Sequence, residues 1–451
     1  MSRTLILLFV TALCAPRAFS QNYVTIHDFT GGADGWSPLA SLTETSPSLF
    51  LGGSSAYLPD AGVIFSISSA GTFTTLYTMQ DSTDGGGPVG QLLAAGDGRF
   101  YGVTNGGGPD AYGTIFATTV KGRLSVVQAS VNIPTPLVEG ATGEFYGIDG
   151  NYNGTLGTPS FFRMTATGEK TTLTTFPAPA SVSGALLQAS DGNFYGGSNE
   201  FSLPSVVQAT LFRLSPEGEY TLLHTFSGTA GVYGNFIQAS NGLIYGSTFA
   251  GSCDVSRGVI FSLSTAGEFH VIHEFGCSID GSGVLSGLTE ASDGYLYGTC
   301  ASCGTQMDGG IFKMSLDGSE YTSLATFDGA LFYAPGPGMI QGSDGNLYGT
   351  APGGGTYNLG FVFRASVGAP PPLPQLSYAR PASAAPGTSV LIHGNNFLAT
   401  SQVTFNGVPA AFTVRDVAYI EATVPSGATS GTIAVTTPNG TGTSKFSFTI
   451  Q

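Results

Sequence analysis

From Ala185 to Phe226 the chain reads ALLQASDGNFYGGSNEFSLPSVVQATLFRLSPEGEYTLLHTF, four apolar runs separated by turn residues. Asp191-Gly192 joins the first two runs and Pro216-Glu217-Gly218 the last two. Asp before Gly supplies the positive φ values of a tight hairpin, so the stretch predicts a four-stranded antiparallel meander. Its second-strand core, a large apolar residue followed by Gly, recurs at Leu51-Gly52, Tyr101-Gly102, Tyr146-Gly147, Tyr195-Gly196, Tyr245-Gly246, Tyr297-Gly298 and Tyr348-Gly349, spaced 45 to 52 residues apart. A period near fifty with four strands per unit predicts a β-propeller, since each unit can bury its faces only against its neighbours.

The third strand repeats as GVIFSIS, GTIFATT, SFFRMT, TLFRLS, GVIFSLS, GIFKMS and GFVFRAS, and six of the seven units continue into a fourth strand such as FTTLYTM or FHVIHEF. The seventh runs instead into Gly-Ala-Pro-Pro-Pro, which cannot continue a sheet. A strand of the missing type, YVTIHDF, stands at Tyr23 to Phe29. The expected fold class is therefore all-β: a seven-bladed propeller over 21–368 whose last blade takes its outer strand from the amino-terminal end, which removes an exposed edge.

The segments SDGNFYG and SDGNLYGT, followed by GxIFxLS and LHTF, resemble the GloVer tandem repeat, the Gloeobacter and Verrucomicrobia type, over about three quarters of the chain. That resemblance implies an exported bacterial protein and little about activity. Beyond a Pro-rich linker at 369–375, expected to be extended and about 20 Å long, residues 376–451 are short alternating strands between Gly, Pro and Asn turns. Pro386-Gly387, Gly394-Asn395-Asn396-Phe397, Val403 to Gly407 and Val424-Pro425 resemble the IPT/TIG immunoglobulin-like pattern, which implies a β-sandwich.

Residues 1–20 carry Arg3, an apolar run from Leu5 to Leu13 and the small residues Ala18 and Ser20, the layout of a signal peptide, so a secreted or cell-surface protein is expected. No later apolar run is long enough for a membrane span. Export favours disulfides among Cys253, Cys277, Cys300 and Cys303, with all three connectivities open. Cys300-Ala-Ser-Cys303 has redox-motif spacing but lacks the surrounding strand and helix pattern, and the set does not match a two-knuckle zinc site. A formal charge of −15 excludes a basic surface for nucleic acid.

In this strand order the Asp-Gly hairpins share one face, and the long loops between second and third strands and between blades share the other. Long loops on a rigid scaffold are where binding concentrates. They hold Trp36, Tyr57, Tyr112, Tyr152, Phe201, Tyr233, Tyr333 and Tyr357, and the ligand-binding candidates are Trp36, Tyr112, Tyr152, Tyr233, Tyr333 and Tyr357. Such rings either stack on sugars or anchor a protein partner, or they pack on neighbouring loops. Asp34, Asp84 and Asp280 precede first strands, so they either ring the channel mouth and hold calcium or make ordinary Asp-Gly turns. Apart from that calcium alternative no cofactor is expected. Three of the five histidines, His27, His224 and His273, occupy one repeat position, which marks them as architectural rather than as a unique base. The expected function is a monomeric, non-catalytic binding or scaffold protein for an extracellular glycan or protein. A propeller lyase or glycosidase using acidic residues of the loop face and a structural spacer in a surface assembly are the alternatives.

Overall fold

The computed structural model describes residues 23–451 except 57–59, 130, 133–134, 151–157, 178–179, 183, 203–205, 227–230, 233, 250–257, 277–283, 285–286, 301–308 and 328–337. The described chain is almost entirely β, with one four-residue helix, Asp81–Asp84. Before residue 366 it forms seven antiparallel sheets of four or five strands among the described residues. In the first, Thr43–Ser46, Leu49–Ser55, Asp60–Ser68 and Phe73–Gln80 lie side by side in chain order. Five further sheets follow over 86–129, 138–175, 180–225, 231–274 and 289–326. In the fourth and fifth the innermost strand is split into two short pieces that pair with the same neighbour.

The seventh sheet joins Ile340–Gln341, Leu347–Ala351 and Phe361–Ala365 to Tyr23–Asp28, which takes the fourth place. Tyr23 stands opposite Ala365 and Asp28 opposite Phe361, with a register shift at Val362/Phe363. The other six sheets bulge at the same place, just before the third-strand phenylalanine, as at Leu211/Phe212 and Ile260/Phe261. The amino-terminal strand thus reproduces the irregularity of a fourth strand as well as its pairing.

Second and third strands are buried on both faces, and for this reason show no alternation of apolar and charged residues. Outer strands are half exposed. Among these seven sheets the hydrophobic clusters bridge neighbouring pairs, as where Tyr101 and Ile115 meet Phe145 and Phe162. A further cluster combines Phe50, Val63 and Phe65 of the first sheet with Tyr348 and Val362 of the seventh and Phe29 beside them. The Phe50 and Tyr348 ring centroids are 4.3 Å apart.

The repeated turn has a physical explanation in the fourth sheet. Asp191 Oδ1 accepts the Asn193 amide at 3.1 Å, while Oδ2 accepts the Tyr195 hydroxyl at 2.8 Å. Gly192 takes φ 83° between them. Burial, with Asp191 beside it, pushes the Tyr195 phenol up to about 12, so it stays a donor. The glycine after the tyrosine leaves room for the third strand: a Cβ at Gly196 would lie 2.6 Å from the ring tip of Phe212.

Residues 375–450 make two four-stranded sheets, one of Gln375–Arg380, Ser389–Asn395, Tyr419–Thr423 and Phe412–Val414, the other of Val408–Pro409, Gln402–Phe405, Ile433–Thr437 and Gly440–Thr443, and a short parallel pair of Ser383–Ala384 with Thr449–Ile450. They close on a core that includes Val390, Ile392, Phe397, Val403, Phe405 and Ile433. The alternating burial of Ser389–Asn395 is that of a strand with one face inward.

Candidate functional site

One repeat position, not singled out from sequence, ties the inner strands together. Three residues before the turn's Asp or Asn, or at the matching position where the turn differs, stands Glu or Gln, and in five of the seven sheets its side chain accepts a backbone amide from the turn of a neighbouring sheet. Gln238 takes Ser190 N–H at 2.8 Å, Glu290 takes Ser240 N–H at 2.7 Å and Gln341 takes Ser292 N–H at 2.9 Å. Glu139 takes Gly96 N–H at 2.8 Å, and Glu44 of the first sheet takes Ser343 N–H of the seventh at 2.9 Å. Burial raises the Glu44 pKa, while its bonds to Ser343 and Ser48 act against that rise.

The second sheet breaks the pattern with Ala94, and the terminal domain docks there. Ala418 and Tyr419 pack with Leu92, Ala94 and Phe100. The Tyr419 hydroxyl donates to Glu139 at 2.8 Å, Arg380 reaches the same carboxylate at 3.3 Å, and Arg415 donates to the Gly96 carbonyl at 3.1 Å. His393 is sandwiched beside Tyr378 and Tyr419. Burial, with Arg380 adding to it, brings its pKa down to about 4, and burial raises that of Asp416 to about 6. On the other side of the turn face the linker, expected to be an extended spacer, lies against the sixth and seventh sheets. There Gln341 donates to the Pro370 carbonyl at 3.1 Å and Asn439 to the Ser343 carbonyl at 3.2 Å. The domain therefore straddles the turn face.

Beneath it, between these two contact regions, are two cavities of about 440 and 380 Å³. They share Gln91, Thr289, Glu290, Met339 and Ile340 from the inner strands and Gln375 and Asn395 from the terminal domain.

On the opposite, long-loop face three of the aromatic candidates are described. Tyr112 is 46% and Tyr357 58% exposed, and Trp36 is half-buried. Trp36 donates its backbone N–H to the Ser55 carbonyl, and Ser37 donates to the Leu359 carbonyl at 2.7 Å, joining that loop to the one carrying Tyr357. These residues lie on loops beside the first, second and seventh sheets. Phe201 lies within the strand Phe194–Ser202. Tyr57, Tyr152, Tyr233 and Tyr333 lie outside the described residues.

The acidic candidates are placed by turn bonds. Asp34 accepts Thr30 N–H at 2.8 Å, the Thr30 hydroxyl at 2.7 Å and His27 Nε2 at 3.2 Å. Asp84 accepts Gln80 N–H and the Tyr77 hydroxyl, both at 2.9 Å. Both carboxylates thus face the ends of outer strands rather than the inner ones. Asp280 lies outside the described residues. No group of three or more metal-ligating side chains occurs among the described residues.

The repeated histidines each stack on the next sheet's outer strand. His27 lies 4.0 Å from Phe73, His224 3.8 Å from Phe269 and His273 4.4 Å from Tyr321, all nearly coplanar. Of the cysteines only Cys300 is described, fully buried in its sheet; Cys253, Cys277 and Cys303 lie outside, as do residues 1–22 with the expected signal peptide. Among the described residues no helix is long and apolar enough to cross a membrane.

Comparison with known proteins bears on the fold. A model of the Gloeobacter/Verrucomicrobia repeat matches residues 17–200 and 181–407, and one of the IPT/TIG domain matches 374–450. No curated protein matches. Among solved structures, an ulvan lyase of a new polysaccharide lyase family bound to -[GlcA(1-4)Rha3S]- superposes with TM-score 0.50 at 8% identity, covering 73% of this chain and 94% of that one. A novel fungal alcohol oxidase in complex with copper gives 0.49 at 11% identity, covering 95% and 98%. The polysaccharide lyase Uly1 gives 0.46 at 12% identity, covering 73% and 89%. The chain belongs to the Gloeobacter/Verrucomicrobia repeat family and carries an IPT/TIG domain over residues 374–450.

Proposed function

We propose that the chain is an exported, monomeric binding protein built on a closed seven-bladed β-propeller, with its glycan or protein ligand on the long-loop face. The closed ring is supported by three contacts between first and seventh sheets: the Phe50–Tyr348 ring pair, the Glu44–Ser343 bond and the His27–Phe73 stack. Each repeats a contact made between consecutive sheets elsewhere. The binding reading is carried by Tyr112 and Tyr357, large rings left exposed on loops that rigid sheets hold in place. The other candidates of that face, Trp36, Tyr152, Tyr233 and Tyr333, would widen the same surface.

A lyase reading has the ulvan lyase's similar fold in its favour, and fold alone does not carry activity. It needs a carboxylate or imidazole poised for proton transfer, whereas Glu44, Glu139 and Glu290 hold turns and the repeated histidines stack. A glycan array probed with the mature protein, with and without calcium, tests the binding reading. Tyr112→Ala with Tyr357→Ala is expected to lower the bound signal at least tenfold with melting unchanged, and uniform silence of the native protein would count against it.

We also propose two disulfides among Cys253, Cys277, Cys300 and Cys303, which would tie down the loops of the fifth and sixth sheets. Non-reducing peptide mapping is expected to recover no peptide with a free thiol; four free thiols would remove the proposal.

A further inference from the structure

The terminal domain reaches into the polar space over the inner strands, and this contact has the chemistry of a second binding site. Two adjoining cavities of about 440 and 380 Å³ lie there, within the size range of small-molecule sites and large enough for on the order of one or two sugar rings. Their shared walls mix side chains of both domains. Gln91, Thr289 and Glu290 come from inner strands, and Gln375 and Asn395, exposed and opposite each other in register, come from the terminal sheet.

An amide offers a carbonyl acceptor and two N–H donors on one rigid plane, which matches hydroxyls that both give and take hydrogen bonds. Glu290 already takes the Ser240 amide and hydroxyl, yet its two oxygens retain lone pairs for further donors. Met339 and Ile340 add apolar surface suited to the C–H face of a ring. No Lys, Arg or His lines either cavity among the described residues, and Glu44 and Glu290 are both in the wall of the larger one. A carboxylate or sulfate ligand would meet like charge with no cation to offset it.

We propose that this junction binds an uncharged saccharide, held between Gln91 and Glu290 on one side and Gln375 and Asn395 on the other. The site is separate from the long-loop face and stands whether or not that face binds a glycan. Because its ligand touches both domains, neither domain alone would complete it.

Saturation-transfer-difference NMR on the full mature chain tests this with glucose, galactose, mannose, cellobiose and maltose, using glucuronate as the charged control. At least one uncharged sugar is expected to give a saturable signal, with glucuronate at least tenfold weaker. The Gln375→Ala, Asn395→Ala double variant, altered only at exposed positions, is expected to weaken binding at least tenfold with unchanged melting. Tyr112→Ala with Tyr357→Ala is expected to leave this signal intact. Silence for all five uncharged sugars, equal binding of glucuronate, native binding by the junction variant or loss in the loop-face variant would each overturn the proposal.

Discussion

At the scale of single residues, the repeat is written by steric and hydrogen-bonding needs that meet within six positions. Asp191 closes the turn and holds Tyr195, Gly192 supplies the turn's dihedral, and Gly196 clears the path of Phe212. Gly196→Ala would place a methyl carbon 2.6 Å from that ring in a buried position. The expected cost is about 1–3 kcal/mol, the range for overpacking, measured by urea denaturation against Gly192→Ala, whose Cβ meets nothing but whose φ of 83° is strained. This part of the fold was legible because every partner lies within one hairpin or its neighbouring strand. The Glu and Gln clasp was not, since its partners stand about fifty positions away in another sheet, as Gln238 and Ser190 do. Only stacking the repeats in register exposes that column, together with its exception at Ala94.

At the scale of elements, Tyr23–Asp28 is the piece with the largest consequence. Its pairing with Phe361–Ala365 was readable from the absent fourth strand of the last repeat, because Pro370-Pro371-Pro372 could not supply one. Deleting residues 23–29 leaves the backbone of Phe361–Ala365 unpaired on one side and removes the buried Phe29 and the His27 stack. Expected are aggregation or a broadened, lower melting transition by calorimetry; a truncated chain that melts like the intact one would refute the closing role. The aromatic loop residues fared differently. Sequence located them on loops, but exposure depends on what packs above them, which left Tyr112 and Tyr357 outward and Trp36 half covered.

At the scale of the whole molecule, two domains that read as beads on a stiff linker are joined through a buried polar contact. Composition gave no hint of it, since Glu139, Arg380 and Tyr419 are far apart in the chain. The contact also carries opposed pH dependences. His393, held near 4 when folded against an ordinary 6.5, takes up a proton on unfolding, so its contribution is complete above pH 6.5 and is lost as pH falls toward 4. Asp416, near 6 when folded against 3.8, contributes in the other direction: its part is complete below 3.8 and is lost as pH rises through 6. Between pH 6.5 and 4, melting of His393→Phe is therefore expected to fall less steeply on acidification than that of the native protein. Asp416→Asn is expected to fall more steeply. Identical slopes for all three would show that neither group titrates as assigned.

The bond between residues near 25 and residues near 363 also sets a clock on biosynthesis. Tyr23–Asp28 must stay unattached to this partner until more than three hundred later residues have followed it, and during that interval the edges of the growing array are unpaired. A ribosome that stalls before residue 361, or a protease that removes residues 23–28, leaves a molecule that cannot make this pairing. Such a chain thereby flags its own incompleteness to whatever surveys unfinished polypeptides.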